Sequence, residues 1–184
     1  MAKTKKIPKI YVENVVASTN INKTVPLDRL LEILEASEYE PEQFPGLVYR
    51  LEKPRVASLI FRSGKVICVG ARSIQEAKEA IKEIVRHIKR VGLRVNENKL
   101  DIKIENIVAA VELGYELNLD ALAFKLEDSE YEPEQFPGLV YRLLEPKVAF
   151  LLFSSGRVIC AGAKSLNEIK KAIEILQKKL KAVR

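Results

Sequence analysis

The chain has 184 residues, 47% of them hydrophobic and 30% charged, the make-up of one or two small folded domains, which excludes the disordered and fibrous classes. No apolar run approaches the roughly 18 residues of a membrane span, Met1 to Pro8 is basic and polar rather than secretory, and two Cys with one His are too few for a four-ligand zinc site or a disulfide framework. Lys plus Arg number 31 against 25 for Asp plus Glu, and the net charge of +6 suits a polyanionic partner without requiring one.

A basic tail over residues 1–8 precedes the first element. Ile10 to Thr19 is rich in Val and Ile and alternates with period two, which predicts a strand. Leu27, Leu30, Leu31 and Leu34 then fall at helical spacing after Thr24-Val25-Pro26. Leu47 to Leu51, Arg55 to Arg62 and Lys65 to Ala71 read as short strands, with Ser63-Gly64 turning between the last two. Ser73 and Glu76 make a capping box for a closing helix, whose apolar stripe is Ile74, Ala77, Ile81, Ile84, Val85 and Ile88.

The chain then says this again. SEYEPEQFPGLVYRL begins at Ser37 and recurs unchanged at Ser129, an offset of 92 residues (129 minus 37). The same offset carries Glu13-Asn14 onto Glu105-Asn106, Phe61 onto Phe153, Cys68 onto Cys160 and Gly70-Ala71 onto Gly162-Ala163. Leu100 to Val111 repeats the first strand, Leu119, Leu122, Ala123 and Leu126 repeat the first helix behind an Asn118 cap, and Leu166, Ile169, Ile173, Leu176 and Leu180 repeat the closing stripe behind Ser165 and Glu168. Two homologous repeats, 9–95 and 96–184, are therefore expected, joined around Gly92 to Lys99 by too little chain to drift far apart.

Both faces of the expected sheet are apolar. Along Arg55 to Phe61, Val56 and Ile60 share one face while Ala57, Leu59 and Phe61 share the other; on the first strand Val15 and Ala17 oppose Val12, Asn14, Val16 and Ser18. Two helices per repeat cover one face and leave the second for a sandwich with the other repeat, a second chain or a separate partner. Phe44 and Phe136 favour the separate partner. Each stands in a turn context, between Glu-Pro-Glu-Gln and Pro-Gly, and is expected to be exposed as a pair with Phe61 or Phe153. Duplicated aromatic pairs suit a partner of approximate twofold symmetry, such as duplex DNA. Asn14 and Asn106 offer amide donors to the acceptor-only A·T edges of a minor groove; the competing reading makes them strand-edge or bulge residues that satisfy backbone. Arg50, Arg55 and Lys65 recur as Arg142, Lys147 and Arg157, six cations suited to phosphates. Lys78, Lys82, Arg86, Lys89 and Arg90 read instead as a solvated helix face.

The doubled EPEQFPGL, the doubled strand phenylalanine before Ser-Gly and the doubled Glu-Asn-hydrophobic-Val resemble the core of the TATA-box-binding protein family in its compact archaeal form, over essentially the whole chain. The resemblance implies an α+β fold: a saddle-shaped ten-stranded antiparallel sheet from two tandem repeats, with four helices on its convex side. It further implies that Phe44 with Phe61, and Phe136 with Phe153, wedge base steps, that Asn14 and Asn106 contact central bases, and that Val16 and Val108 pack beside them. Val69 and Ala161 stand where many members of the family carry threonine, so any base hydrogen bond from that hydroxyl is absent. The implied partners are the minor groove of a TATA element, a transcription factor B family protein at Glu132, Glu134 and Gln135, and RNA polymerase indirectly. Because Glu40, Glu42 and Gln43 repeat that loop, the loops do not distinguish the repeats. A homodimer of the free protein, no membrane, no cofactor, and an archaeal cytoplasmic setting beside the nucleoid, or a nuclear one in a eukaryote, complete the expectation.

An enzyme is the first rival. His87 stands alone on a helix without a repeat partner, Cys68 and Cys160 lie mid-strand as small buried hydrophobes, and no phosphate-cradling glycine motif occurs. The second rival is a protein-binding module that uses the same open apolar face.

Overall fold

The computed structural model describes residues 8–183, so the expected basic tail lies, apart from Pro8, outside the described residues. Elements follow in two matched series. The first runs β1 (Ile10–Asn20), α1 (Leu27–Ile33), β2 (Ser37–Glu38), β3 (Gly46–Glu52), β4 (Arg55–Phe61), β5 (Lys65–Ala71) and α2 (Ile74–Lys89). After a single 3-10 turn at Glu97–Lys99 the second runs β6 (Lys103–Glu112), α3 (Leu119–Lys125), β7 (Ser129–Glu130), β8 (Leu139–Leu143), β9 (Val148–Leu152), β10 (Arg157–Ala163) and α4 (Leu166–Ala182). Strand order is β2-β3-β4-β5-β1 in the first series and β6-β10-β9-β8-β7 in the second, and the ten strands make the antiparallel sheet of the expected fold class. By compactness the chain divides into one unit of Asn14–Glu105 and another of Asn106 onward together with the chain's start up to Glu13.

Local chemistry starts the helices where expected. Ser73 accepts from Glu76 N at 3.0 Å and Ser165 from Glu168 N at 3.2 Å, while each glutamate reaches back to the backbone N–H before its serine, Arg72 and Lys164 respectively. Asn118 caps α3 by accepting from Ala121 N at 3.0 Å. Pro26 starts α1 without a side-chain cap.

Packing within each unit is one-sided. Val56, Ser58 and Ile60 of β4, Val66 and Cys68 of β5, and Val15 and Ala17 of β1 turn to the side that α2 covers with Ala77, Ile81, Ile84, Val85 and Ile88. In the second unit Phe150, Leu152, Val158 and Cys160 are buried, as are Ile169, Ile173, Leu176 and Leu180 of α4, which packs on β10. Tyr141 and Phe150 stack at 6.1 Å where the first repeat has Tyr49 and a buried Ser58 whose hydroxyl donates to Tyr49 O.

Four details depart from the sequence reading. β2 and β7 were not legible, because two residues show no periodicity. Leu100 to Ile102 is not strand: the chain leaves the 3-10 turn and Asp101 O accepts from Thr19 Oγ1 at 2.8 Å. Ser18 is buried rather than open, its hydroxyl donating to Glu105. His87 does have a counterpart in kind: its Nδ1 lies 2.8 Å from Tyr49 Oη and its Nε2 3.2 Å from Glu83, and at the equivalent position Lys179 sits over the Tyr141 ring. Burial raises the Tyr49 phenol, consistent with its packing under α2.

Desolvation pushes the Cys68 thiol up to about 11 and the Cys160 thiol up to about 12, with Glu76 adding to the former. Alkylation by iodoacetamide at pH 8 is therefore expected to run about a hundredfold slower in the folded chain than in a denatured control. Equal rates would contradict the packing of both strands.

Candidate nucleic-acid interface

The side of each sheet half that the helices do not cover is also apolar. In the first repeat Val16, Val48, Leu59, Phe61, Ile67 and Val69 lie there half-buried, with Ala57 exposed. Cross-strand pairing puts Val48 beside Leu59, Leu59 beside Ile67, and Ala57 beside Val69, so they form one continuous surface. In the second repeat Val140, Leu151 and Ile159 make the matching row, and Ala149, Ala161 and Val108 the next. Val69 and Ala161 bring only methyl groups to it. The separate-partner geometry is thus available in each unit, since these side chains pack against their in-plane neighbours and not under a helix.

Asn14 and Asn106 sit beside a bulge. Along β1 and β5 the register passes from Val15↔Ala71 to Ala17↔Cys68, which leaves one extra residue on β5; along β6 and β10 it passes from Val108↔Ala161 to Ile107↔Ala163. Gly70 and Gly162 occupy these bulges at φ +101° and +107°, a backbone region that L side chains rarely adopt. The bulge N–H, released from the ladder, donates to Asn14 Oδ1 at 2.8 Å, and Gly162 N donates to Asn106 Oδ1 at 2.8 Å. A backbone N–H can only donate, so the facing amide atom must be the carbonyl oxygen, and the NH2 is left for the open face. The oxygen of each asparagine thus satisfies backbone, as the bulge reading expects.

The phenylalanines pair as expected. Phe44 and Phe61 meet edge-to-face at 5.8 Å and 66°, and Phe136 and Phe153 at 5.9 Å and 67°. Phe44 is 39% exposed and Phe136 41%. What the sequence reading missed is the glycine beneath. A Cβ on Gly46 would lie 2.7 Å from Phe44 Cε1 and 3.0 Å from Phe61 Cε1, and one on Gly138 would lie 2.7 Å from Phe136 Cε1 and 3.1 Å from Phe153 Cε1. The Pro-Gly after each exposed phenylalanine therefore clears the floor on which the ring pair stands.

The six cations divide. Arg55, Lys65 and Lys147 make no ion pair among the described residues, whereas Arg50 meets Glu38 at 3.0 Å, Arg142 meets Glu130 at 2.9 Å, and Arg157 meets Glu112 at 3.5 Å and Glu13 at 4.0 Å. These pairs are exposed and weakly held, within about 1 kcal/mol. Their partners could be suspected, since Glu38 and Arg50 lie in the one repeated string. Arg55 and Arg50 border an open cleft of about 820 Å³ with Ala36, Val69 and Gly70. On α2, Arg86 and Lys89 engage Glu83 and Glu97. Glu132, Glu134 and Gln135 are exposed on a turn in which Gln135 N and Phe136 N both donate to Glu132 O, and Glu40, Glu42 and Gln43 have the same geometry. Among the described residues no cluster of His, Cys, Asp and Glu could hold a metal ion, and no helix is long and apolar enough to cross a membrane.

Fold and site together define a duplicated-sheet protein that presents, on each repeat, an apolar, aromatic-edged face with a donor at its bulge. The family described as "Transcription factor TFIID (or TATA-binding protein, TBP)" matches residues 9–91 and 101–183. The TATA-box-binding protein of Methanocaldococcus jannaschii is 53% identical over 176 residues, covering 96% of each chain, and that of Archaeoglobus fulgidus is 47% identical over 95% of this chain and 96% of its own. The solved structure of Methanococcus jannaschii TBP superposes with a TM-score of 0.89 at 52% identity, covering 95% of this chain and 99% of that one. The chain belongs to the TATA-box-binding protein family, a family described as a transcription factor and not as an enzyme.

Gly46→Ala and Gly138→Ala are expected to displace the ring pair above each while changing stability by no more than about 1.5 kcal/mol, the worth of an aromatic pair. Ring-current shifts in aromatic carbon–proton spectra report this; unchanged shifts for Phe44 and Phe61 in Gly46→Ala would contradict the clearance.

Proposed function

We propose that the chain is a general transcription initiation factor that binds the minor groove of A/T-rich TATA elements through the open face of its two repeats, 9–95 and 96–184. The single observation that carries this reading is the pair of asparagines whose oxygens are consumed at the bulges. Each then offers only N–H donors from within an apolar field. A minor-groove floor of A·T pairs offers only acceptors, at adenine N3 and thymine O2, while a G·C pair adds the guanine amino donor. Donor against donor is rejected, and Val16, Val69, Leu59, Val108, Ala161 and Leu151 have no acceptor to take that amino group. The asparagines and the apolar surface discriminate in the same direction.

The ring pairs supply the deformation. Phe44 with Phe61 and Phe136 with Phe153 present rigid edges that enter a base step, at a cost of a few kcal/mol per step; the cost is offset when a widened groove floor and the apolar sheet exclude water together. Flexible pyrimidine–purine steps lower the cost, so shape reinforces direct readout. Arg50, Arg55, Lys65, Arg142, Lys147 and Arg157 border this surface and face phosphates, Arg55, Lys65 and Lys147 without a carboxylate partner among the described residues and Arg50, Arg142 and Arg157 each sharing its charge with one.

The second-repeat loop, Glu132, Glu134 and Gln135, docks a transcription factor B family protein, through which RNA polymerase is recruited. The loops themselves are alike, but the repeats differ elsewhere in chemistry: Phe124 is 93% exposed and Leu144 82%, where the first repeat has Glu32 and Glu52. Apolar side chains of this exposure favour the second repeat for a protein partner. In the absence of DNA the open face supports a homodimer, and the setting is the archaeal cytoplasm beside the nucleoid.

Replacing the T·A pairs of an A/T-rich duplex by inosine·cytosine alters the major groove and preserves the minor-groove pattern, so binding is expected to persist. A protein-binding module would bind neither duplex. Phe61→Ala and Phe153→Ala are expected to abolish bending, measured by circular permutation of the site, while leaving the melting transition in place; an unchanged bend would refute the wedge assignment.

A further inference from the structure

The two repeats agree in their apolar residues and disagree in their charges. Lys65 and Arg157 are equivalent residues, each at the start of its strand. Lys65 faces Asn20 across the ladder, whereas Arg157 faces Glu112. Arg157 Nη1 is 3.5 Å from Glu112 Oε1 and its Nη2 is 4.0 Å from Glu13 Oε1, and Lys65 makes no ion pair among the described residues. The same bias recurs at other equivalent positions. Ala36, whose carbonyl accepts from Arg50 N, becomes Asp128, whose carbonyl accepts from Arg142 N. Arg62, 3.6 Å from Asp28, becomes Ser154, and Glu52-Lys53 becomes Leu144-Glu145. Each change makes the second repeat less positive.

We propose that phosphate capture is divided unequally between the repeats, with the first as the stronger clamp, and that Glu112 is the residue that sets the difference by occupying Arg157. The inference rests on the DNA-binding reading above. A cation held by a carboxylate a few ångströms away brings little net charge to a phosphate and so releases few counterions on binding. The carboxylate is itself exposed, and its field is screened within about 8 Å at physiological salt, so the effect stays local to this corner of the second repeat. Lys65 opposite Asn20 has no such brake. Asn20 instead accepts from Asn22 N at 2.8 Å, a turn contact that an aspartate could keep while adding the missing charge.

The test is the salt dependence of binding of the full chain to one A/T-rich duplex. Lys65→Ala is expected to reduce the log–log slope by about 0.9, the value for one phosphate, and Arg157→Ala by much less. Glu112→Gln is expected to steepen the slope by about 0.9, a gain that Arg157→Ala removes in the Glu112→Gln background, and Asn20→Asp to reproduce the loss seen in Lys65→Ala. Equal slope losses for Lys65→Ala and Arg157→Ala, or an unchanged slope in Glu112→Gln, would overturn the unequal division while leaving DNA binding intact. A wild-type chain that does not bind the duplex would overturn the DNA-binding reading itself, a distinguishable result. Should Asn20→Asp fail to fold, Glu112→Gln carries the test alone.

Discussion

Side chains along a strand alternate between faces, and each repeat has helices for only one of them. α2 and α4 bury the Val56-Ile60 and Phe150-Leu152 side, and the rows of Leu59, Ile67 and Val69, or Leu151, Ile159 and Ala161, are left against solvent. Apolar area kept in water costs roughly 25 cal/mol per Å² relative to burial. A stable chain tolerates this because the covered side is densely packed, and the exposed surface then stores a driving force for association that any complementary dry surface can release. Specificity has to come from whatever polar groups are placed on that surface.

Few are placed there, and backbone geometry decides what they offer. An extra residue on β5 and on β10 releases an N–H from the ladder at Gly70 and Gly162. A side-chain β-carbon at these positive φ values would be strained, so the bulge depends on glycine, and the freed N–H captures the asparagine oxygen. The amide is thereby oriented without help from a ligand. Its donor is fixed before a partner arrives, which limits the ordering cost of recognition. The ring pairs are prepared in the same way, with Gly46 and Gly138 leaving room for each to stand over the chain.

Much of this was legible from the residues. The offset of identical strings defined two repeats, the capping serines and asparagine marked helix starts, and alternation in β4 separated the two faces correctly. The exposure of Phe44 and Phe136 followed from their turn context. Illegible features were those made by pairing distant segments. The bulge is visible only once β1 and β5 are aligned, so the backbone partner of Asn14 could be posed as one alternative but not placed. Glu112 against Arg157 depends on register, and the repeat comparison alone, which shows Asn20 at the equivalent place, was its only signal. Ser18 looked open because it shares a face with Asn14, yet Glu105 reaches it. His87 looked solitary because its partner, Tyr49, is on β3, far away in sequence, and its equivalent is a lysine.

The central claim is that association buries this uncovered apolar face. Calorimetric titration of an A/T-rich duplex over a range of temperatures measures it most directly, because the heat-capacity change of binding tracks apolar area removed from water. The account predicts a strongly negative value, on the order of −0.5 kcal/mol/K for an interface of ordinary protein–DNA size. Tight binding with a heat-capacity change near zero would contradict it, since the duplex would then be held by its phosphates alone.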